Sequence, residues 1–276
     1  MHGWRLLELE ARDGATNLAI DEAVATAVGA GESPPTLRLY TWSEPCLALG
    51  SFQPLADLSP AARAGRGPAV VRRASGGTLV LHDGGHLGFS LALPPGHPLA
   101  PADLIDAYRQ LNRHVAAALQ ALGLPARLVS VQEARADGAH PLLKAACYGS
   151  LSPYEVVIGT RKLVGSAQLR RRGVVLHEGG ILLRFDAAET AHWLAAATEA
   201  EAQRRACLLA ARVTDLEREL ARPVTLAEVA AALVSAFTPA LGGGPPAPRT
   251  LTAAERACAA HLRATKYAAA AWTQRR

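Results

Sequence analysis

The chain has 276 residues, half of them hydrophobic and 19% charged, which suits a packed globular core and excludes a disordered chain. No apolar run approaches the roughly 20 residues of a membrane span, and Met1-His2-Gly3-Trp4-Arg5 lacks the basic and apolar stretches of a secretion signal, so a cytoplasmic protein with no membrane partner is expected. The net charge is +5, yet the basic residues form neither a long block nor an aromatic-interleaved stripe, which argues against nucleic acid and leaves acidic protein partners.

In chain order, Asn17 to Val28 reads as an alanine-rich helix, and Leu37 to Leu49 as extended chain broken at Pro45. Arg72 to Leu93 carries the clearest sheet signal. Leu87, Phe89, Leu91 and Leu93 alternate with small or polar residues after an Asp83-Gly84-Gly85 turn. Leu104, Tyr108, Leu111, Val115 and Leu119 repeat at helical spacing within Asp103 to Leu122, and Gly123 stops that helix. Tyr154 to Leu169 reads as a hairpin about Gly159-Thr160, followed by a strand over Val174 to Leu183 interrupted at Gly179-Gly180. Beyond Asp186 the pattern turns helical. Thr225-x-x-Glu228 and Thr252-x-x-Glu255 are capping-box patterns, with a Gly/Pro-rich loop over residues 239–250 between those helices. The sum is an α+β chain: a mixed or antiparallel sheet flanked by helices.

Four scattered cysteines (Cys46, Cys147, Cys207, Cys258) show neither metal-ligand nor CxxC spacing, so no metal site and no disulfide framework are expected. Cys147 differs from Cys207 and Cys258 in lying in a loop that feeds a strand; a lone cysteine is otherwise a small core hydrophobe. Only three of the 29 basic residues are lysines: Lys144, Lys162 and Lys266. A lone lysine is ordinarily a solvated charge, but Lys162 precedes the small-residue run Gly165-Ser166-Ala167, which lets another group approach the backbone. Gly76-Gly77, just after Arg72-Arg73 and Ser75, can expose backbone N–H groups to an oxyanion. His82-Asp83 reads either as a catalytic pair or, with Gly84-Gly85, as part of a hairpin turn.

Five segments then act together. They are Trp4-Arg5 with Asn17 to Ala23; Gly50-Ser51-Phe52-Gln53; Arg72-Arg73-x-Ser75-Gly76-Gly77 through His82-Asp83 and Leu87-x-Phe89-Ser90; Gly159-x-Arg161-Lys162-Leu163-Val164-Gly165-Ser166-Ala167-Gln168; and Lys266-Tyr267 with Trp272. The set resembles the biotin/lipoate protein ligase superfamily and, more narrowly, its octanoyltransferase branch. Cys147-Tyr148 with Pro153-Tyr154-Glu155 is similar to the cysteine context of that branch.

The resemblance implies a fold like the catalytic domain of biotin synthetases and class II aminoacyl-tRNA synthetases, here one domain over residues 1–276. It implies an acyl pocket lined by Arg72, Arg73, Ser75, Gly76 and Gly77, with His82, Gly165, Ser166 and Ala167 also meeting substrate. It implies Cys147 as the nucleophile, with Lys162 beside the acyl carbonyl acting as a base or through its charge. The donor would be octanoyl-acyl carrier protein, and the acceptor a lysine of the glycine-cleavage H protein or another lipoyl domain, with no cofactor or metal. The alternatives are an ATP-dependent lipoate ligase, an amidotransferase between lipoyl domains, and a non-catalytic acyl-binding protein. One departure stands out: where the family carries His-Gly-Ser or His-Gly-Thr, this chain has His177-Glu178-Gly179-Gly180, so the histidine is displaced by one residue and Glu178 takes its place.

Overall fold

A computed structural model describes residues 3–138, 140–171, 173–244 and 248–276. Met1, His2, Ala139, Arg172 and three residues of the 239–250 loop lie outside the described residues. The strands in chain order are β1 (Arg5–Arg12), β2 (Thr36–Trp42), β3 (Cys46–Leu49), β4 (Ala69–Arg72), β5 (Val80–His82), β6 (His86–Leu93), β7 (Ala126–Leu128), β8 (Val156–Ile158), β9 (Arg161–Arg171), β10 (Val174–Leu182) and β11 (Pro248–Arg249). Among the described residues they form an eight-stranded sheet, ordered β11-β1-β2-β6-β10-β9-β8-β7, and a three-stranded sheet, ordered β4-β3-β5. In the large sheet β11, β1 and β2 run parallel and the remaining pairs are antiparallel. The fold is α+β.

Four of the helices are α1 (Gly14–Gly29), α2 (Leu104–Ala121), α3 (Leu226–Phe237) and α4 (Ala253–Leu262). Asp13 caps α1, accepting from the Thr16 N–H at 3.0 Å, and Asp103 caps α2. The amphipathic α2 turns Leu111, Val115 and Leu119 onto one face of the large sheet, where they pack with Phe89, Leu91 and, from α3, Leu233 and Phe237. Each such side chain contributes about 1.5–3 kcal/mol by leaving water. The first residue of the expected stripe, Leu104, is exposed and stands outside that core. On the opposite face lies α1, apolar nearly all round, because it is covered twice: by the sheet beneath and by α4 above. Covering both faces buries every residue of β2 and β6.

Polar groups on the α1 side are therefore paired. Arg38 binds Asp21 at 2.8 Å and the Asn17 side chain at 2.6 Å, while Ser90 and Tyr40 donate to Asp21 at 2.6 and 3.0 Å. Arg5 holds Glu255 across the fold, and Lys266 and Tyr267 both reach Glu22. Removing one partner from such a buried pair costs more than the pair itself contributes.

Three expectations change. Gly179-Gly180 does not interrupt β10; the glycines lie within it because the Phe89 ring occupies the space of a Cβ on Gly179. Thr225 caps α3, but Glu228 turns to Arg222 rather than back to the cap, so only Thr252–Glu255 closes a full capping box among the expected two. The 239–250 segment is not all loop: Pro239–Leu241 is a 3-10 turn, and β11 adds an edge strand to β1.

Candidate active site

Between the α1 face of the large sheet and the three-stranded sheet lies a cavity of about 660 Å³, counting its open mouth. Its apolar wall is Leu18, Tyr40, Trp42, Cys46, Ala48, Val71 and Val80. Its floor is made of small residues. Gly180 of β10 pairs with Gly165 of β9, and Glu178 pairs with Ala167. Paired residues in an antiparallel ladder share a face, so Gly165, Ala167, Gly180 and Glu178 all point toward the cavity. A Cβ on Gly165 would sit 3.5 Å from each of Cys147 Sγ, Lys162 Cε and Tyr148 Cε1. Cys147 and Lys162, 15 residues apart in sequence, thus converge on one glycine.

The Cys147 segment is tied down from several sides. The Cys147 N–H donates to the Leu79 carbonyl at 2.9 Å, and the Leu79 N–H donates to Ala145 at 3.0 Å. Gln53 donates its side-chain amide to the Ala145 carbonyl at 3.0 Å, and Tyr148 donates its hydroxyl to Gly180 at 3.1 Å. Lys162 Nζ then donates to the Cys147 carbonyl at 2.8 Å, the Ser150 carbonyl at 3.2 Å and Glu155 Oε1 at 2.7 Å. Those three acceptors take all three N–H groups of an ammonium and leave no lone pair. Burial alone would lower the Lys162 pKa, but the Glu155 carboxylate and the Cys147 sulfur outweigh it and hold the amine above its ordinary value. In this arrangement Lys162 is a buried ammonium next to the thiol. Glu155 is aimed at Lys162 by Tyr154, whose φ of +64° is sustained by a hydrogen bond to Val129 and another from Asn112.

The facing wall is different. Glu178 accepts from the Ser75 hydroxyl through Oε1, with Arg73 Nε at 3.9 Å from the same oxygen. Oε2 has no hydrogen-bond partner among the described residues. Burial, then the charge of Asp21, pushes the Glu178 carboxyl up to about 7, against the pull of Arg73 and Ser75. His82 stacks flat on Trp42, with ring centroids 3.9 Å apart and an interplanar angle of 6°. Burial, then the nearby His86 and Arg73, holds its imidazole well below the usual histidine range, so it is neutral. His82 and Asp83 do not pair: Asp83 binds His86 at 2.9 Å and the Gly85 N–H at 2.7 Å, which makes it the turn residue.

The expected site residues separate accordingly. Cys147, Arg73, Gly76, Gly77, His82, Gly165, Ser166 and Ala167 line the cavity. Ser166 does so with its backbone, since its hydroxyl accepts from Asn112 of α2 on the other face of the sheet. Ser75 stands behind Glu178, and Lys162 behind Gly165. Arg72 faces away altogether: it donates to the carbonyls of Gly50, Gln53 and Thr273, while Trp272 donates back to its own carbonyl at 2.9 Å. Neighbours in a strand point to opposite faces, so Arg72 locks the C-terminal segment and Arg73 meets the cavity.

The profile of the Lipoyl protein ligase A/B catalytic domain matches residues 13–238, a span that carries every residue lining this cavity. The chain belongs to that family. Two proteins named octanoyltransferase LipM are similar along their whole length. That of Symbiobacterium thermophilum is 38% identical over 99% of this chain and 98% of its own, and that of Moorella thermoacetica is 39% identical over the same shares. Among solved structures, a bi-partite lipoate protein ligase of Thermoplasma acidophilum superposes with a TM-score of 0.79 at 25% identity, covering 99% of this chain and 96% of its own. A lipoate-protein ligase A bound with ATP superposes with a TM-score of 0.77 at 26% identity, covering 99% of each.

His177 and Glu178 take opposite faces of β10. His177 is fully buried on the α2 side, where it binds Asn112 at 3.0 Å, and burial lowers its pKa to about 3. Glu178 takes the cavity face. A shift of one residue in a strand exchanges faces, and strict alternation along β10 is the signal from which Glu178 follows. Glu155 and Gln53, which hold Lys162 and the Cys147 segment, have no comparable signal in their spacing.

Proposed function

We propose that the chain moves an octanoyl group from acyl carrier protein, through a thioester on Cys147, to the lipoyl-lysine of a lipoyl domain, with the glycine-cleavage H protein as acceptor in the cytoplasm. One observation carries the mechanism: the Cys147 sulfur meets the cavity beside a glycine floor and the Lys162 ammonium. The full-length relatives named octanoyltransferases support the reaction class.

Cys147 gives up its proton, and its sulfur, beside the Lys162 ammonium, is the nucleophile. The thiolate attacks the thioester carbonyl of the donor, and the carrier's sulfur leaves and takes up a proton, giving octanoyl-S-Cys147. Backbone N–H groups at Gly76-Gly77 and along Gly165 to Ala167 are the donors available to the tetrahedral oxyanion. The acyl chain lies along Leu18, Trp42, Val71 and Val80, where each buried methylene contributes ~0.8 kcal/mol. An amine of the acceptor then takes the acyl group and returns the sulfur to the thiol. The net charge of +5 favours encounter with acidic partners.

The test is to incubate the enzyme with octanoyl-acyl carrier protein and purified H protein without ATP, and to map the acceptor's mass gain. One octanoyl group on a single lysine is the expected product. Modification that requires free acid and ATP would overturn the proposal and favour the ligase chemistry.

A further inference from the structure

The second half of that reaction has a proton requirement that Lys162 does not meet. A lysine acceptor arrives as an ammonium, and its nitrogen attacks only after losing a proton. All three N–H groups of Lys162 are donated to Cys147, Ser150 and Glu155, and it is buried behind the floor. His82 faces the cavity, but its imidazole is a weak proton acceptor at neutral pH.

We propose that Glu178 is the base that receives this proton, an inference that rests on the octanoyl-transfer reading above. Glu178 is diagonal to Gly165 across the β10–β9 ladder, since Gly165 pairs with Gly180. Diagonal positions are about 7–8 Å apart. Cys147 Sγ abuts Gly165, so the thiol and the carboxylate face one cavity from neighbouring positions of its floor, where a single acceptor amine would meet both. Ser75 anchors one carboxylate oxygen, and Glu178 lines the cavity. The charged and titratable groups around Glu178 are Asp21 and Glu22 of α1, Arg38 and Tyr40 of β2, Arg73 after β4, His82 of β5, Tyr108 of α2 and Tyr267 of the C-terminal segment. Two carboxylates oppose two guanidinium groups, and a carboxyl pushed up to about 7 by this burial is matched to proton exchange near neutral pH.

The protons balance. The acceptor ammonium gives one proton to the Glu178 carboxylate. The free amine adds to the thioester carbonyl; the C–S bond breaks as the amide forms, and the second proton goes from nitrogen to the Cys147 sulfur. Glu178 then returns its proton to solvent.

The test uses Glu178→Gln, which keeps an oxygen for Ser75, and follows the two half-reactions separately by rapid quench. The first is acylation of Cys147 by octanoyl-acyl carrier protein. The second is transfer from the preformed octanoyl enzyme to a lipoyl domain or to hydroxylamine, an amine already unprotonated at neutral pH. In the wild type, transfer to the lipoyl domain should rise with pH through a step near 7. In E178Q that step should vanish, and transfer to the lipoyl domain should fall roughly 100-fold more than acylation does. Transfer to hydroxylamine should fall no more than acylation. Lipoyl-domain transfer that keeps pace with acylation in E178Q would overturn the inference, as would a parallel loss with hydroxylamine, which would make Glu178 structural. Absence of an octanoyl adduct on the wild-type enzyme would instead overturn the underlying transfer reading, and this inference with it.

Discussion

On the wall that carries Cys147, each N–H of Lys162 has its acceptor, and the segment from Ala145 to Ser150 is fastened by Gln53, Leu79 and Lys162. On the wall that carries Glu178, one carboxylate oxygen is held, while the other and the buried Nδ1 of His82 have no partner among the described residues. The Lys162 amine has an acceptor for each of its N–H groups, and the facing wall leaves polar atoms without a partner among the described residues. Full satisfaction fixes position, because any movement of the sulfur's backbone breaks several hydrogen bonds together. Partial satisfaction leaves a group whose proton can come and go, at the cost of a perturbed pKa.

The comparison breaks most decisively at Cys147 itself. Cys147→Ala should reduce octanoyl transfer by roughly 10³-fold or more, measured as initial rates with lipoyl-domain acceptor. Next comes the satisfied wall. Lys162→Met strands Glu155 in the interior and should cost about 3–5 kcal/mol in urea unfolding. The double change Glu155→Met with Lys162→Met should recover most of that stability without recovering activity. A double variant as unstable as the single would show that the pair does not act as a unit.

On the unsatisfied wall the sign is reversed. The Glu178 carboxyl is raised in the folded protein from 4.5 to about 7, so the folded state binds the extra proton between those values. Wild-type stability from this group should therefore fall as pH rises through that window, by up to about 3 kcal/mol. E178Q, which cannot ionise, should be more stable than wild type at pH 8, with the difference fading toward pH 5. A pH-independent difference would refute the buried-carboxylate account. The smallest effect on stability is expected at the floor. Gly165→Ala meets its neighbours at 3.5 Å, ordinary contact, so unfolding should shift by less than about 1 kcal/mol. The added methyl nonetheless stands against Cys147 Sγ, and transfer should fall at least about tenfold.

How much of this could be seen beforehand differs along the chain. The α+β organisation, the β8–β9 hairpin about Gly159 and the α2 stripe follow from periodicity, because each is decided by local spacing. The convergence of Gly76-Gly77, Cys147 and Gly165 on one cavity came from the family resemblance, since nothing in their separation along the chain brings them together. Arg72 and Arg73 look equivalent in sequence and part company only through strand alternation and a C-terminal segment some 200 residues away. The two backbone carbonyls that hold the Lys162 amine, those of Cys147 and Ser150, are announced by no residue type.

The most direct measurement is the intact mass of the purified enzyme and of its Cys147→Ala variant after mixing with octanoyl-acyl carrier protein, without ATP and without acceptor. The account predicts a gain of one octanoyl group on the wild type, removed by a thiol reductant acting as nucleophile or by hydroxylamine, and no gain on the variant. A wild-type enzyme that gains no mass, or a variant that gains as much, would contradict it.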